Sequence, residues 1–152
     1  MTRTTHTTLP TVIDAVKALA HPGRLRMLAM LHGGDLCVCQ MTAVIELAAS
    51  TVSSHLSDLR RAGVVTERKR GKWVHYHLVG DGPLADLVRQ ALRLVEDDEQ
   101  LKKDARVVGA LRKVPLNTFC RTGLLGRAVI GVTPGIPVTR PRPRASANRR
   151  QT

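Results

Sequence analysis

Val12, Ala15, Val16 and Leu19 recur every three or four residues between Thr11 and Ala20, the spacing of one helical face. His21-Pro22 interrupts the run, and Pro22 suits the first turn of a second helix. Leu25, Leu28, Ala29 and Leu31 carry that helix to about His32, where Gly33-Gly34 stops it. A third, short helix is expected from Cys37 or Val38, with Met41, Val44 and Ile45 on one side and a tight turn over 46–49. Ser50 is placed to cap a fourth helix. Its Val52, Leu56 and Leu59 form a buried stripe that ends at Gly63.

The period then changes. Val64 to Arg70 and Trp73 to Val79 flank Gly71-Lys72, which predicts two short strands around a turn. Beyond Gly80-Asp81-Gly82-Pro83, apolar positions return at Leu84, Leu87, Ala91, Leu94, Leu101, Ala105 and Val108. They predict a long C-terminal helix over Leu84 to Val114, about 45 Å in length. Such a helix is too long to hide against so small a body, so its stripe is expected to pair with a second copy as a homodimer. The acidic run Glu96-Asp97-Asp98-Glu99 offers the alternative of two helices. From Pro115 the periodicity dissolves into Pro, Gly and Arg, and disorder is expected at least beyond Thr133. The organisation is therefore a flexible N-terminus at 1–10, one domain at 11–114 and a basic tail at 115–152.

Helix, helix, helix-turn-helix, hairpin and long helix make a mostly α (α+β) chain, a winged helix-turn-helix with a two-stranded wing. Apolar content of 43% supports a core, and with only Trp73, Tyr76 and Phe119 aromatic that core must be aliphatic. Charge is uneven. Residues 1–100 carry twelve Lys and Arg against eleven Asp and Glu, whereas residues 101–152 carry twelve against Asp104 alone. The chain end is a polycation suited to phosphate backbones or acidic surfaces. The N-terminus has no apolar run fit for a signal peptide. Leu124 to Val138 is interrupted by Arg127, Pro134 and Pro137 and falls short of the roughly 20 residues of a span. Three cysteines without a secretory signal read as reduced thiols, so a cytoplasmic protein without membrane contact is expected.

A helix-turn-helix reads DNA with the N-terminal residues of its second helix. With the Val52 stripe buried, Ser50, Thr51, Ser53, Ser54 and His55 are candidates for base or phosphate contact, and Asp58 is also left outward. Arg60 and Arg61, at the far end, suit phosphates. In the wing Arg68, Lys69, Arg70 and Lys72 make a positive tip for the backbone or minor groove. Two-fold symmetry implies double-stranded operator DNA with an imperfect inverted repeat. Cys37-Val38-Cys39 is the second candidate site, since two soft thiols one residue apart chelate a thiophilic ion. In a regular helix residues i and i+2 lie about 200° apart, so joint ligation is expected to unwind the start of the third helix. The alternative is a pair of buried, structural cysteines. His75-x-His77 shares a strand face but lacks a third partner. No Gly-rich phosphate loop, P-loop or cradled reactive cysteine supports an enzyme.

Lys17-Ala18-Leu19-Ala20-His21-Pro22-Gly23-Arg24-Leu25-Arg26 resembles the KALADPTRLR opening of the ArsR/SmtB family of metal-responsive repressors. Leu36-Cys37-Val38-Cys39 is similar to the ELCVC segment of its arsenic-sensing branch. Ser50-Thr51-Val52-Ser53-Ser54-His55-Leu56 and Arg61-Ala62-Gly63-Val64-Val65 resemble the family's recognition helix and its exit. The resemblance spans roughly residues 10–95. It implies a repressor of an arsenic or antimony resistance operon, with no constitutive cofactor, released when the inducer As(III) or Sb(III) binds Cys37 and Cys39. Where the branch continues CVCDLC, this chain has Cys39-Gln40-Met41-Thr42, so Thr42 stands in the third cysteine's place. A trivalent metalloid favours three thiolates, and Cys120 is the only other thiol, expected to reach the partner subunit's site. The family's other ion site uses histidine pairs on the last helices, and 84–114 contain no histidine. An alternative leaves the repressor in place and makes its thiols sensors of oxidants or of another thiophilic ion.

Overall fold

The computed structural model describes residues 7–122. Thr8 opens α1 (Leu9–Leu19) by accepting the Thr11 N–H on its side chain. His21 does the same for α2 (Pro22–His32): its Nδ1 accepts the Gly23 and Arg24 N–H groups at 3.1 and 3.4 Å. The chain then crosses a two-residue strand β1 (Leu36–Cys37) into α3 (Val38–Ile45). Glu46 takes the left-handed conformation (φ 62°) that ends α3 and reverses the chain into α4 (Ala49–Arg61). The wing follows as β2 (Val65–Arg70) and β3 (Trp73–Leu78), paired from Val65↔Leu78 to Arg70↔Trp73. Gly71 sits at φ 60° in its two-residue turn, a conformation glycine adopts without a Cβ penalty. Helices α5 (Pro83–Leu94), α6 (Glu99–Leu111) and α7 (Leu116–Thr122) complete the described chain.

The core is aliphatic, as the scarcity of aromatics required. Met27, Leu28, Leu36, Met41, Val64 and the stripe Val52, Leu56 and Leu59 are fully enclosed. One ion pair is set into it. Asp104 of α6, buried, receives the Arg26 guanidinium through both oxygens at 2.7 and 2.8 Å, with Gln100 adding a third bond at 2.9 Å. This bidentate fork fastens α6 to α2.

The winged helix-turn-helix is as expected, but several elements differ. Leu36 and Cys37 make a third strand, ordered β1-β3-β2, through Leu36↔Tyr76 and Cys37↔His75. Two residues are too short a run to carry a periodic signal. Ser50 does not cap α4; Ala48 holds that position, without a side-chain hydrogen bond, and Ser50 lies inside the first turn. The long C-terminal helix is two helices, because Asp98 caps a new start at α6 by accepting the Gln100 and Leu101 N–H groups. The break changes the face as well: α5 buries Ala85, Val88 and Leu92, and leaves Leu94 87% exposed. In α1 the residues turned inward are Ala15 and Ala18, while Leu9, Val12, Ile13 and Val16 face out. Finally, the first residues of the expected tail are helical, with Phe119 of α7 buried in the core. The expected disorder beyond Thr133 and the tail arginines from Arg127 onward lie outside the described residues.

Candidate thiol site and nucleic-acid interface

Cys37 is the last residue of β1 and the cap of α3, with extended backbone (φ −91°, ψ 166°). Gln40 fixes it there: the Gln40 amide oxygen accepts the Cys37 N–H at 3.0 Å, and the Gln40 backbone N–H faces the Cys37 sulfur. Cys39 lies in the first turn of α3. Because Cys37 stands outside the helix, the opposed directions of residues i and i+2 in a regular helix do not apply. Cys120 comes from α7 of the same chain, its Sγ 3.8 Å from Cys37 Sγ. All three sulfurs lie within 4.8 Å of one another, the only such group of potential ligands among the described residues. In this arrangement α3 keeps its helical start, and Cys120 approaches Cys37 within a single chain.

The three thiols differ in setting. Cys37 is buried, and Cys39 and Cys120 are half-buried. Burial pushes the Cys37 thiol up from its ordinary range, against the opposing pull of the Gln40 backbone N–H. Cys120 is driven up more strongly, by burial first and then by the two neighbouring sulfurs. Both are therefore neutral thiols near pH 7, poor nucleophiles until a ligand replaces their protons. Thr42, where a third cysteine was sought, follows Cys39 by one helical turn. Its hydroxyl is buried and has no hydrogen-bond partner among the described residues. The Nδ1 atoms of His75 and His77 are likewise buried and unpartnered, and neither ring joins the thiol group.

On the other face of the helix-turn-helix, Ser50, Thr51, Ser53 and Ser54 are exposed along α4. His55 is not: it is half-buried, with its ring centroid 4.5 Å from that of His21. Burial, followed by His21 and Arg24, lowers its basicity, with Asp58 opposing. Asp58 is held by Arg24 at 3.5 Å and Arg61 at 2.5 Å. Arg60 pairs with Glu67 of the wing at 2.6 Å. In the wing, Lys69 and Lys72 are exposed, and Lys72 Nζ stands 5.0 Å over the Trp73 ring. Arg70 reaches back 3.2 Å to Asp35, the residue before β1. Asp35 was missed from the sequence, since nothing local in Gly33-Gly34-Asp35 signals a partner in the wing.

Residues 21–67 match the family model described as bacterial regulatory protein, arsR family. An arsenic resistance transcriptional regulator of Pseudomonas putida is 43% identical over 68 residues, covering 44% of this chain and 53% of that protein. The arsenical resistance operon repressor of Escherichia coli K12 is 35% identical over 91 residues, 58% of this chain and 78% of the repressor. Among solved structures, HlyU from Vibrio cholerae is 33% identical with a TM-score of 0.51, covering 56% of this chain and 91% of that one. The homodimeric winged helix-turn-helix DNA-binding domain of a possible ArsR-family regulator from Mycobacterium bovis is 32% identical with a TM-score of 0.51, over 62% and 84%. On the shared opening, helix-turn-helix and wing, and on this likeness, the chain belongs to the arsR family of bacterial regulatory proteins.

Proposed function

We propose that the chain is a homodimeric repressor of an arsenic or antimony resistance operon, released from its operator when As(III) or Sb(III) binds Cys37, Cys39 and Cys120. The observation that carries this reading is the convergence of three sulfurs within 4.8 Å at the start of α3. The relatives in Pseudomonas putida and Escherichia coli, a regulator and a repressor of arsenic resistance, support the same ligand. The chemistry of the site supports it too. A trivalent metalloid hydroxide condenses with thiols, each S–H proton leaving with a hydroxide as water, and three such bonds give an uncharged trithiolate. A divalent cation would need three thiolates and would leave a buried net charge of −1.

Cys37 belongs to the wing as much as to α3, and this gives the ligand a route to DNA. It pairs with His75 in β3, and Asp35, two residues before it, holds Arg70. Ligation of Cys37 to sulfurs on α3 and α7 acts on β1, and through it on the wing tip with Lys69 and Lys72. A coupling of about 3 kcal/mol between the two sites would weaken operator binding roughly 150-fold.

The homodimer forms through α1 in this reading. Leu9, Ile13 and Val16 (75%, 43% and 48% exposed) lie at i, i+4 and i+7, a stripe with no partner in one subunit. The Mycobacterium bovis domain, itself a homodimer, supports a second copy as that partner. On the operator, an imperfect inverted repeat, the wing lysines take phosphates. Arg60 and Arg61 leave weak surface ion pairs to do the same.

The test is an arsenite titration of the reduced protein on a fluorescent duplex from its own promoter region, with zinc and peroxide in parallel. Release by arsenite, abolished in Cys37→Ser/Cys39→Ser without loss of DNA binding, is the expected result. Tight binding indifferent to arsenite removes the ligand. Release by peroxide alone would favour an oxidant sensor, the reading that the 3.8 Å Cys37–Cys120 approach leaves open.

A further inference from the structure

The outward face of α4 lacks the side chains that usually name a base. Bidentate pairs to guanine or adenine need Arg, Lys, Asn or Gln near the start of the recognition helix. Here the outward positions Ala49, Ser50, Thr51, Ser53, Ser54 and Ser57 are short and exposed. The longer groups lie elsewhere. His55 leans on His21, and Arg60 and Arg61 sit in the last turn, where they suit phosphates rather than the bases at the start of the helix. At the leading edge the chain instead presents apolar surface. Leu47 is 37% exposed, Ala48 caps the helix without a side-chain hydrogen bond, and Ala49 is open to solvent. Exposed carbon at the one edge that enters the major groove calls for an apolar base feature. The groove offers just one, the thymine C5-methyl group.

We infer that this chain selects its operator through thymine methyl groups packed against Leu47, Ala48 and Ala49, and not through hydrogen bonds to guanine. The occupant is the major groove of duplex DNA, because the exposed wing cations Lys69 and Lys72 of the same domain complement a phosphate backbone. The serine hydroxyls behind the apolar edge tolerate either base partner, which leaves the methyls to discriminate. The inference rests on the repressor reading above and refines how that repressor finds its site.

The test uses the full-length reduced protein and a duplex that it has itself enriched from a random-sequence pool. Each thymine is replaced in turn by deoxyuridine, which removes only the methyl, and each guanine by 7-deazaguanine, which removes only the N7 acceptor. At one or more thymines per half-site, affinity is expected to fall about fourfold per methyl. Leu47→Ala is expected to abolish that sensitivity at one position. The 7-deazaguanine duplexes are expected to bind like the parent. Indifference to every deoxyuridine overturns the inference, as does a 7-deazaguanine loss larger than the deoxyuridine loss. A pool that yields no preferred sequence refutes the repressor reading itself, and this refinement with it.

Discussion

Cys37 and Cys120 are 83 residues apart in the chain, and their sulfurs lie 3.8 Å apart in the fold. The approach is made by α7, anchored in the core through Phe119, which lays Cys120 against the capped start of α3. Cys120→Ser should therefore keep operator binding but lose most of the arsenite response. A third thiolate worth about 3 kcal/mol corresponds to a roughly 150-fold rise in the arsenite needed for release. A wild-type titration curve in this variant would restrict the ligand site to Cys37 and Cys39.

The protonation of the thiols predicts how ligands respond to pH. Burial raises both Cys37 and Cys120, so each carries its proton across pH 6.5 to 8. Arsenite hydroxide takes up those protons as water, and its affinity should be nearly flat over this range. Cadmium must expel them, so its affinity should climb with pH, with the protons of Cys37 and Cys120 released on binding. Isothermal titration in buffers of different ionisation enthalpy counts the protons directly, and equal counts for the two ligands would contradict this account.

His55 predicts acid sensitivity. Burial and the neighbouring His21 and Arg24 lower its basicity in the folded state. The unfolded chain then binds the proton more readily. Stability is unaffected above the ordinary imidazole value of about 6.5 and declines as pH falls from there toward the lowered folded value. The Tm of the protein should drop between pH 7.5 and 5.5, and His55→Gln should flatten that drop. An equal drop in the variant would assign the effect to other groups.

The Arg26–Asp104 pair predicts a stability loss away from both sites. Asp104→Ala leaves the Arg26 guanidinium, 24% exposed, without its carboxylate, at a cost of about 3 kcal/mol. Urea unfolding should show a lower midpoint with an unchanged slope. A shift of a few tenths of a kcal/mol would mean that water replaces the carboxylate.

Hydrophobic spacing made the helix-turn-helix legible, because Val52, Leu56 and Leu59 obey a helical period whatever they pack against, and all three are fully buried. The same spacing misled where two faces compete. Val12 and Val16 fit the α1 stripe, yet Ala15 and Ala18 turn inward. Small side chains let α1 approach α2 and α4 closely, and periodicity does not record size. The break after Leu94 was visible in the acidic run, but it took the Asp98 cap to decide between one helix and two.

Local sequence thus determined the winged helix-turn-helix, the paired thiols at its entrance and the basic wing, since each is built from elements that follow one another directly along the chain. Tertiary structure decided the rest. Cys120 joins the thiol group, Asp35 holds Arg70, and His55 leans on His21, all through contacts between residues far apart in the chain. Such contacts depend on how the helices pack together, and spacing along a sequence holds no measure of distance across a fold.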